Sequence, residues 1–192
     1  MEKKKVTLKD TVKIIDTPPI IRGRTDMTDV YIKEAESCSK KAREAFLLSL
    51  NTDGNNRNKA LWEEKQNSIF AILFSVFSLE AHINRIGNDE LEKEIWGELE
   101  RMKLEQKWLV FPMLLNGKTY DIETKLFKNF RKVIGLRNYL VHFKDYEYKE
   151  LVEHPCGTNV IGIYEHVNVK NAELSYNTAK EMIKELGNLL KK

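Results

Sequence analysis

The sequence predicts a mainly α-helical protein, a bundle of about four to five helices with a small β element formed by the two ends of the chain. Three observations lead there. Residues 69–86 are apolar almost all round, as in the central helix of a small bundle, yet carry polar residues that interrupt a membrane span. From Leu126 to Phe143 apolar side chains recur at roughly 100° per residue, the α-helical period. The ends differ: Val6, Leu8, Val12 and Ile14 alternate, and Val160, Ile161, Ile163, Tyr164, Val167 and Val169 form a β-rich stretch.

Taken in order, residues 1–25 are expected to form a strand and loop, stopped by Thr17-Pro18-Pro19. A helical bundle over 26–145 follows. Its first helix is capped by Asp26 or Thr28 and runs to Leu50, with Ala35, Cys38, Ala42, Phe46 and Leu50 inward. The Asn-rich segment Asn51–Asn58, with Gly54, separates it from the central helix, which is expected to stop at Gly87. Asn88 or Asp89 then caps a Glu-rich third helix with Leu91, Ile95, Leu99 and Met102 inside. Residues 108–117 read as a compact apolar connector, because Pro112 opposes a regular helix and Asn116-Gly117 signals a turn. Trp108 in it is either core or a base-stacking aromatic. Residues 146–192 supply the β-rich segment and a final amphipathic helix opened by Ser175 or Asn177, running through Met182, Leu186 and Leu189 and packing on the bundle. The whole is read as a single domain.

Composition excludes much. Of 192 residues 42% are hydrophobic and 32% charged, ordinary for a globular chain, and no repeat or low-complexity segment is visible. With 32 basic against 29 acidic residues the net charge is +3, so a basic surface must come from local arrangement. Lys125, Lys128, Lys132 and Lys144, Lys3-Lys4-Lys5 and Lys191-Lys192 are candidates, or simply a solvated face. Residues 1–10 are charged with no apolar run behind them, so no signal peptide is expected and the cytoplasm is the expected location. Cys38 and Cys156 make no disulfide framework, and His154, Cys156 and His166 lack regular zinc spacing. There is no P-loop, dinucleotide turn, GxSxG or HExxH motif, hence no metal or cofactor is expected.

Two charges stand out of pattern. In the helix of Leu126–Phe143, Leu126, Phe130, Val133, Ile134, Leu140 and Val141 share a broad face with Arg137 near its centre. Leu136, Tyr139 and Phe143 line the other side. On the central helix, Ile69, Leu73, Val76, Phe77 and Ile83 share a face whose centre is Glu80, with Asn84 one turn later. A buried charge without a partner is costly, so Glu80 and Arg137 are expected to face each other, as a structural ion pair or as part of an active site. Asn138 and His142 stack one turn apart, while Arg137 and His142 differ by about 140° in rotation and about 7.5 Å in rise. His142 is either a helix-end histidine packed on Tyr139 or a proton-transfer group.

The pairing of Phe77-Ser78-Leu79-Glu80-Ala81-His82-Ile83-Asn84 with Leu136-Arg137-Asn138-Tyr139-Leu140-Val141-His142 resembles the HEPN superfamily, over roughly residues 26–145. The resemblance implies a HEPN-like bundle of about four helices that forms a homodimer, two motifs meeting in a basic cleft. It implies a metal-independent endoribonuclease, with toxins restrained by an antitoxin-like partner and phage-defence effectors among such proteins. By the same likeness Arg137 and His142 match the catalytic pair and Asn138 the polar residue after the arginine. Glu80 matches the acidic position on the earlier helix, and Asn84 is a looser supporting match. RNA is then the substrate: Arg137 would hold and neutralise the phosphate, His142 act as base or acid, Asn138 orient the imidazole or touch RNA, and Glu80 position Arg137. The alternative it leaves open is a non-catalytic dimeric module that binds RNA or a nucleotide.

Overall fold

The computed structural model describes residues 26–141 and 166–191. Among them the protein is mainly helical, and its six helices are α1 (Met27–Leu50), α2 (Gly54–Glu90), α3 (Lys93–Leu99), α4 (Leu104–Asn116), α5 (Lys125–Val141) and α6 (Val169–Leu189). No strand occurs among the described residues. The expected strand at 6–14, and 160–165 of the β-rich stretch, lie outside them.

α1 begins as expected: the Asp26 carboxylate accepts from the Thr28 N–H at 2.9 Å, filling one of the orphan donors of the first turn. Its buried stripe is Ala35, Cys38, Ser39, Ala42, Ala45 and Ser49, whereas Leu50, expected inside, is 62% exposed. The facing side of α2 is equally small, with Ala60, Ser68, Ala71, Ser75 and Ser78 buried. Small side chains let two long helices lie close together, and this pair forms the most extensive helix contact among the described residues.

α2 corrects the expected face. Its core side is Ile72, Val76, Leu79, Ile83 and Ile86, while Ile69, Leu73 and Phe77 are half-buried and Glu80 is exposed. A segment apolar on nearly all sides has no periodic signal strong enough to choose which side is inside. By length and composition α2 also reaches the mark for a membrane span, and 44% of its most apolar window is buried within the bundle. The helix does not stop at Gly87 but continues to Glu90. A Cβ at Gly87 would lie 2.5 Å from Trp96 and 2.6 Å from Phe111, so the residue is glycine to admit two aromatic rings rather than to end a helix. Accordingly Asn88 and Asp89 are not caps, and α3 is a single short helix with no fully buried residue and Ile95 44% exposed.

The expected connector is helix α4, with Pro112 inside it. Proline there removes one helical hydrogen bond, at a cost of about 3 kcal/mol. Trp108 and Phe111 on the same helix are fully buried and contribute roughly 2–3 kcal/mol each, which outweighs that cost. The turn signal at its end is obeyed: Gly117 takes φ 64°, and its N–H bonds the Met113 carbonyl at 2.9 Å.

The main core joins Leu79, Ile83 and Ile86 of α2, Trp108 and Phe111 of α4, Tyr120, Phe127 and Phe130, and Ala179, Met182 and Leu186 of α6. α5 therefore faces inward through Phe127, Phe130, Val133 and Leu136, not through the face centred on Arg137. Arg137 sits half-buried at the margin of that stripe, and Val141 is 45% exposed. α6 starts six residues before Ser175, so Val169 is helical rather than β. Two acceptors fix that start: the Asn168 side chain takes the Asn171 N–H, and the buried Glu64 carboxylate of α2 takes the Val169 N–H at 3.0 Å. α6 then packs across α1, α2 and α5.

Candidate functional site

α5 carries Arg137 and Asn138 to the edge of the bundle, where α2 and the first turn of α4 approach it. The resulting cleft, about 630 Å³, is lined by Glu80 and Val76 of α2, Ile134, Arg137 and Asn138 of α5, and Met102–Gln106 at the start of α4. Three of the residues singled out in the sequence thus share one concavity. The first turn of α4 is tied to α5 by Arg131, whose Nε donates to Glu105 at 2.6 Å.

Glu80 and Arg137 face the same cleft, but among the described residues no ion pair joins them. Arg137 Nη1 instead donates to Asn138 Oδ1 at 3.1 Å, and the buried Nε has no hydrogen-bond partner. The premise of the expected pair fails at Glu80: an exposed carboxylate is already solvated and needs no cation.

Asn84 lies one turn further along α2 and opens on a neighbouring cleft with Asp26, Ala81, Arg85 and Asp89. Its Oδ1 accepts from Lys107 Nζ at 2.7 Å. Lys107, at the α4 position before Trp108, is 4% exposed and lies over the Trp96 ring at 5.6 Å. Burial pushes its ammonium down from the usual lysine range, and the carboxylates of Glu80 and Glu100 act against that shift. Sequence reasoning missed Lys107 because residues 108–117 were read as irregular. As a helix, α4 turns this lysine toward α2, where Asn84 accepts its hydrogen bond.

The charges of the cleft can then be counted. Glu105 is paired with Arg131, whereas Glu80 is exposed and makes no ion pair among the described residues. Arg137 and Lys103 have no carboxylate partner among the described residues. The neighbouring cleft is the opposite case, since Arg85 there is matched by Asp26 at 3.2 Å and Asp89 at 3.8 Å. Of these two clefts the first carries the cations without a carboxylate partner among the described residues, and a guanidinium is the group that suits a phosphate.

His142 lies outside the described residues, as do Lys144, His154 and Cys156. On the far side of α5, Tyr139 packs edge-on against His166 with ring centroids 5.0 Å apart. Trp108 is fully buried between His82, Tyr120 and Phe130, so it is a core residue and not a surface for a base. Lys128 is paired with Glu123 at 2.8 Å and belongs to a solvated face. Compared with known proteins, the chain is matched by no family model, no curated protein and no solved structure.

Proposed function

We propose that the protein is a metal-independent endoribonuclease of HEPN type, acting in the cytoplasm as a homodimer on RNA, as a toxin or phage-defence effector restrained by an antitoxin-like partner. The observation that carries the reading is the charge arrangement of the α2–α4–α5 cleft: Glu105 is paired with Arg131, and Arg137 and Lys103 line the cleft with no carboxylate partner among the described residues. A phosphodiester is the ligand such a cleft suits.

The chemistry is transphosphorylation. The ribose 2′-oxygen attacks phosphorus and its proton passes to a base. A pentavalent phosphorane forms, the P–O5′ bond breaks, and an acid protonates the departing 5′-oxygen, leaving a 2′,3′-cyclic phosphate. Arg137 neutralises the charge that builds on the phosphorane, and Asn138 holds the guanidinium in place through Nη1. His142, five residues on, is the proton-transfer group in this reading. One histidine cannot easily be base and acid together, and a second copy of the chain supplies the other.

The experiment is incubation of purified protein, and of its His142→Ala and Arg137→Ala variants, with labelled single-stranded RNA and matching DNA in EDTA. RNA-only cleavage ending in a cyclic phosphate, lost in both variants, is expected. Intact RNA that is nonetheless bound, with binding lost in Arg137→Ala, replaces the nuclease by a non-catalytic RNA-binding module.

A further inference from the structure

Two side-chain amides in the cleft are oriented by what holds their oxygen ends. The backbone N–H of Lys103 reaches Gln106 Oε1 at 3.2 Å, and Arg137 Nη1 reaches Asn138 Oδ1 at 3.1 Å. A backbone N–H and a guanidinium only donate, so each amide must turn its oxygen toward them. What each has left to present is an NH₂ group, and among the described residues neither amide nitrogen is engaged. Gln106 stands on the α4 wall, across the cleft from the α5 wall of Arg137. Val76, Met102, Leu104 and Ile134 give the space between an apolar lining. A cleft of about 630 Å³ is also more than a phosphate group needs and falls in the range of small-molecule sites, roughly 300–1,000 Å³.

Resting on the ribonuclease reading above, we infer that the α4 wall reads the base beside the phosphate held by Arg137. Gln106 Nε2 donates to the oxygen at position 4 of uracil or position 6 of guanine. Cytosine and adenine place an amino donor at those positions, which meets a donor and leaves both unpaired. Gln106 is thus a specificity-determining residue favouring keto bases at one flank of the cut.

The test is to digest random-sequence RNA with the wild type, Gln106→Glu and Gln106→Leu, and sequence the cut ends. Gln106→Glu keeps one oxygen for the Lys103 N–H and presents the other as an acceptor, so the fold and its helix cap survive while the reading atom changes sign. Wild type is expected to favour U and G over C and A by about tenfold at one flanking position. Gln106→Glu should turn that preference toward C and A, and Gln106→Leu should erase it. Should the protein bind RNA without cutting, the same pattern is expected in its affinities for the four nucleoside 3′-monophosphates. RNA cut with no base preference, or with a preference untouched in Gln106→Glu, overturns the inference and leaves the ribonuclease reading standing, whereas RNA bound without cutting and without base preference overturns both in favour of the binding module. A protein that neither cuts nor binds RNA overturns both.

Discussion

Arg137 and Glu80 are usually the kind of residues whose removal tests a buried ion pair, and here their surroundings separate them. Glu80 is exposed and Arg137 bonds only its neutral neighbour Asn138. Glu80→Gln should therefore change stability by no more than about 0.5 kcal/mol, and Arg137→Ala by less than about 1 kcal/mol, while Arg137→Ala removes RNA binding. Urea unfolding of both variants checks this; a loss near 3 kcal/mol in each would reveal a buried pair after all. His82 behaves differently. Its ring stacks near Trp108 with centroids 6.3 Å apart, and its Nδ1 lacks a hydrogen-bond partner. Burial drives its pKa from 6.5 down to about 4, Arg85 adds to that, and Asp26 and Asp29 oppose it. The unfolded chain therefore takes up a proton between pH 6.5 and about 4 that the folded chain refuses, and stability falls as pH drops through that window. In His82→Phe the melting temperature should decline less steeply between those limits; parallel slopes would mean that His82 is not held neutral.

At the scale of helices, Gly87 is where α2, α3 and α4 meet. Gly87→Ala forces a methyl against Trp96 and Phe111, both held in the aromatic core, and should cost about 1–3 kcal/mol in a thermal or denaturant melt. If the variant matches the wild type, α3 is loosely docked and Trp96 gives way. Several helices are legible from their caps and periods: Asp26 opens α1, and the apolar period of α5 survives in Phe130, Val133 and Ile134, while at Gly117 the turn is legible but the helix before it is not. Their faces were less so. On α2 nearly every side is apolar, so the sequence period was compatible with a core centred on Glu80 or on Leu79, and only packing against α1 and α6 decides. Pro112 misled for a related reason: a local penalty was weighed without the burial of Trp108 and Phe111 that tertiary structure adds. The start of α6 rests on the Asn168 cap, a local signal masked by the β-branched residues around it, and on Glu64, a carboxylate more than a hundred residues earlier that no local pattern could show.

For the whole molecule, the proposed mechanism makes a statement about assembly. If one site needs the His142 of both chains, wild-type protein unfolded and refolded with an excess of His142→Ala should cleave less than its own share of the mixture, because each mixed dimer carries one histidine. Sites complete within one chain give cleavage in proportion to the wild-type share, and a light-scattering mass of a single chain would remove the composite site altogether. The parts of the site that the sequence could show were those on one helix or in a paired motif: Arg137, Asn138 and Glu80 do arrive at one cleft. Lys103, Gln106 and Lys107 were invisible, because their relevance depends on where the N-terminus of α4 comes to rest.

α6 is the last helix in chain order, yet it touches α1, α2 and α5 and supplies Ala179, Met182 and Leu186 to the core. Its backbone is held from elsewhere: Glu64 takes the Val169 N–H, the Tyr120 hydroxyl donates to the Met182 carbonyl at 2.9 Å, and Asn116 Nδ2 donates to the Leu189 carbonyl at 2.8 Å. During synthesis, then, helices α1–α5 emerge before the helix whose Ala179, Met182 and Leu186 share the core with Leu79, Ile83, Phe127 and Phe130. A chain stalled before residue 169 is expected to expose those side chains to water. A core built this way stays unfinished until nearly all of the described chain has been made.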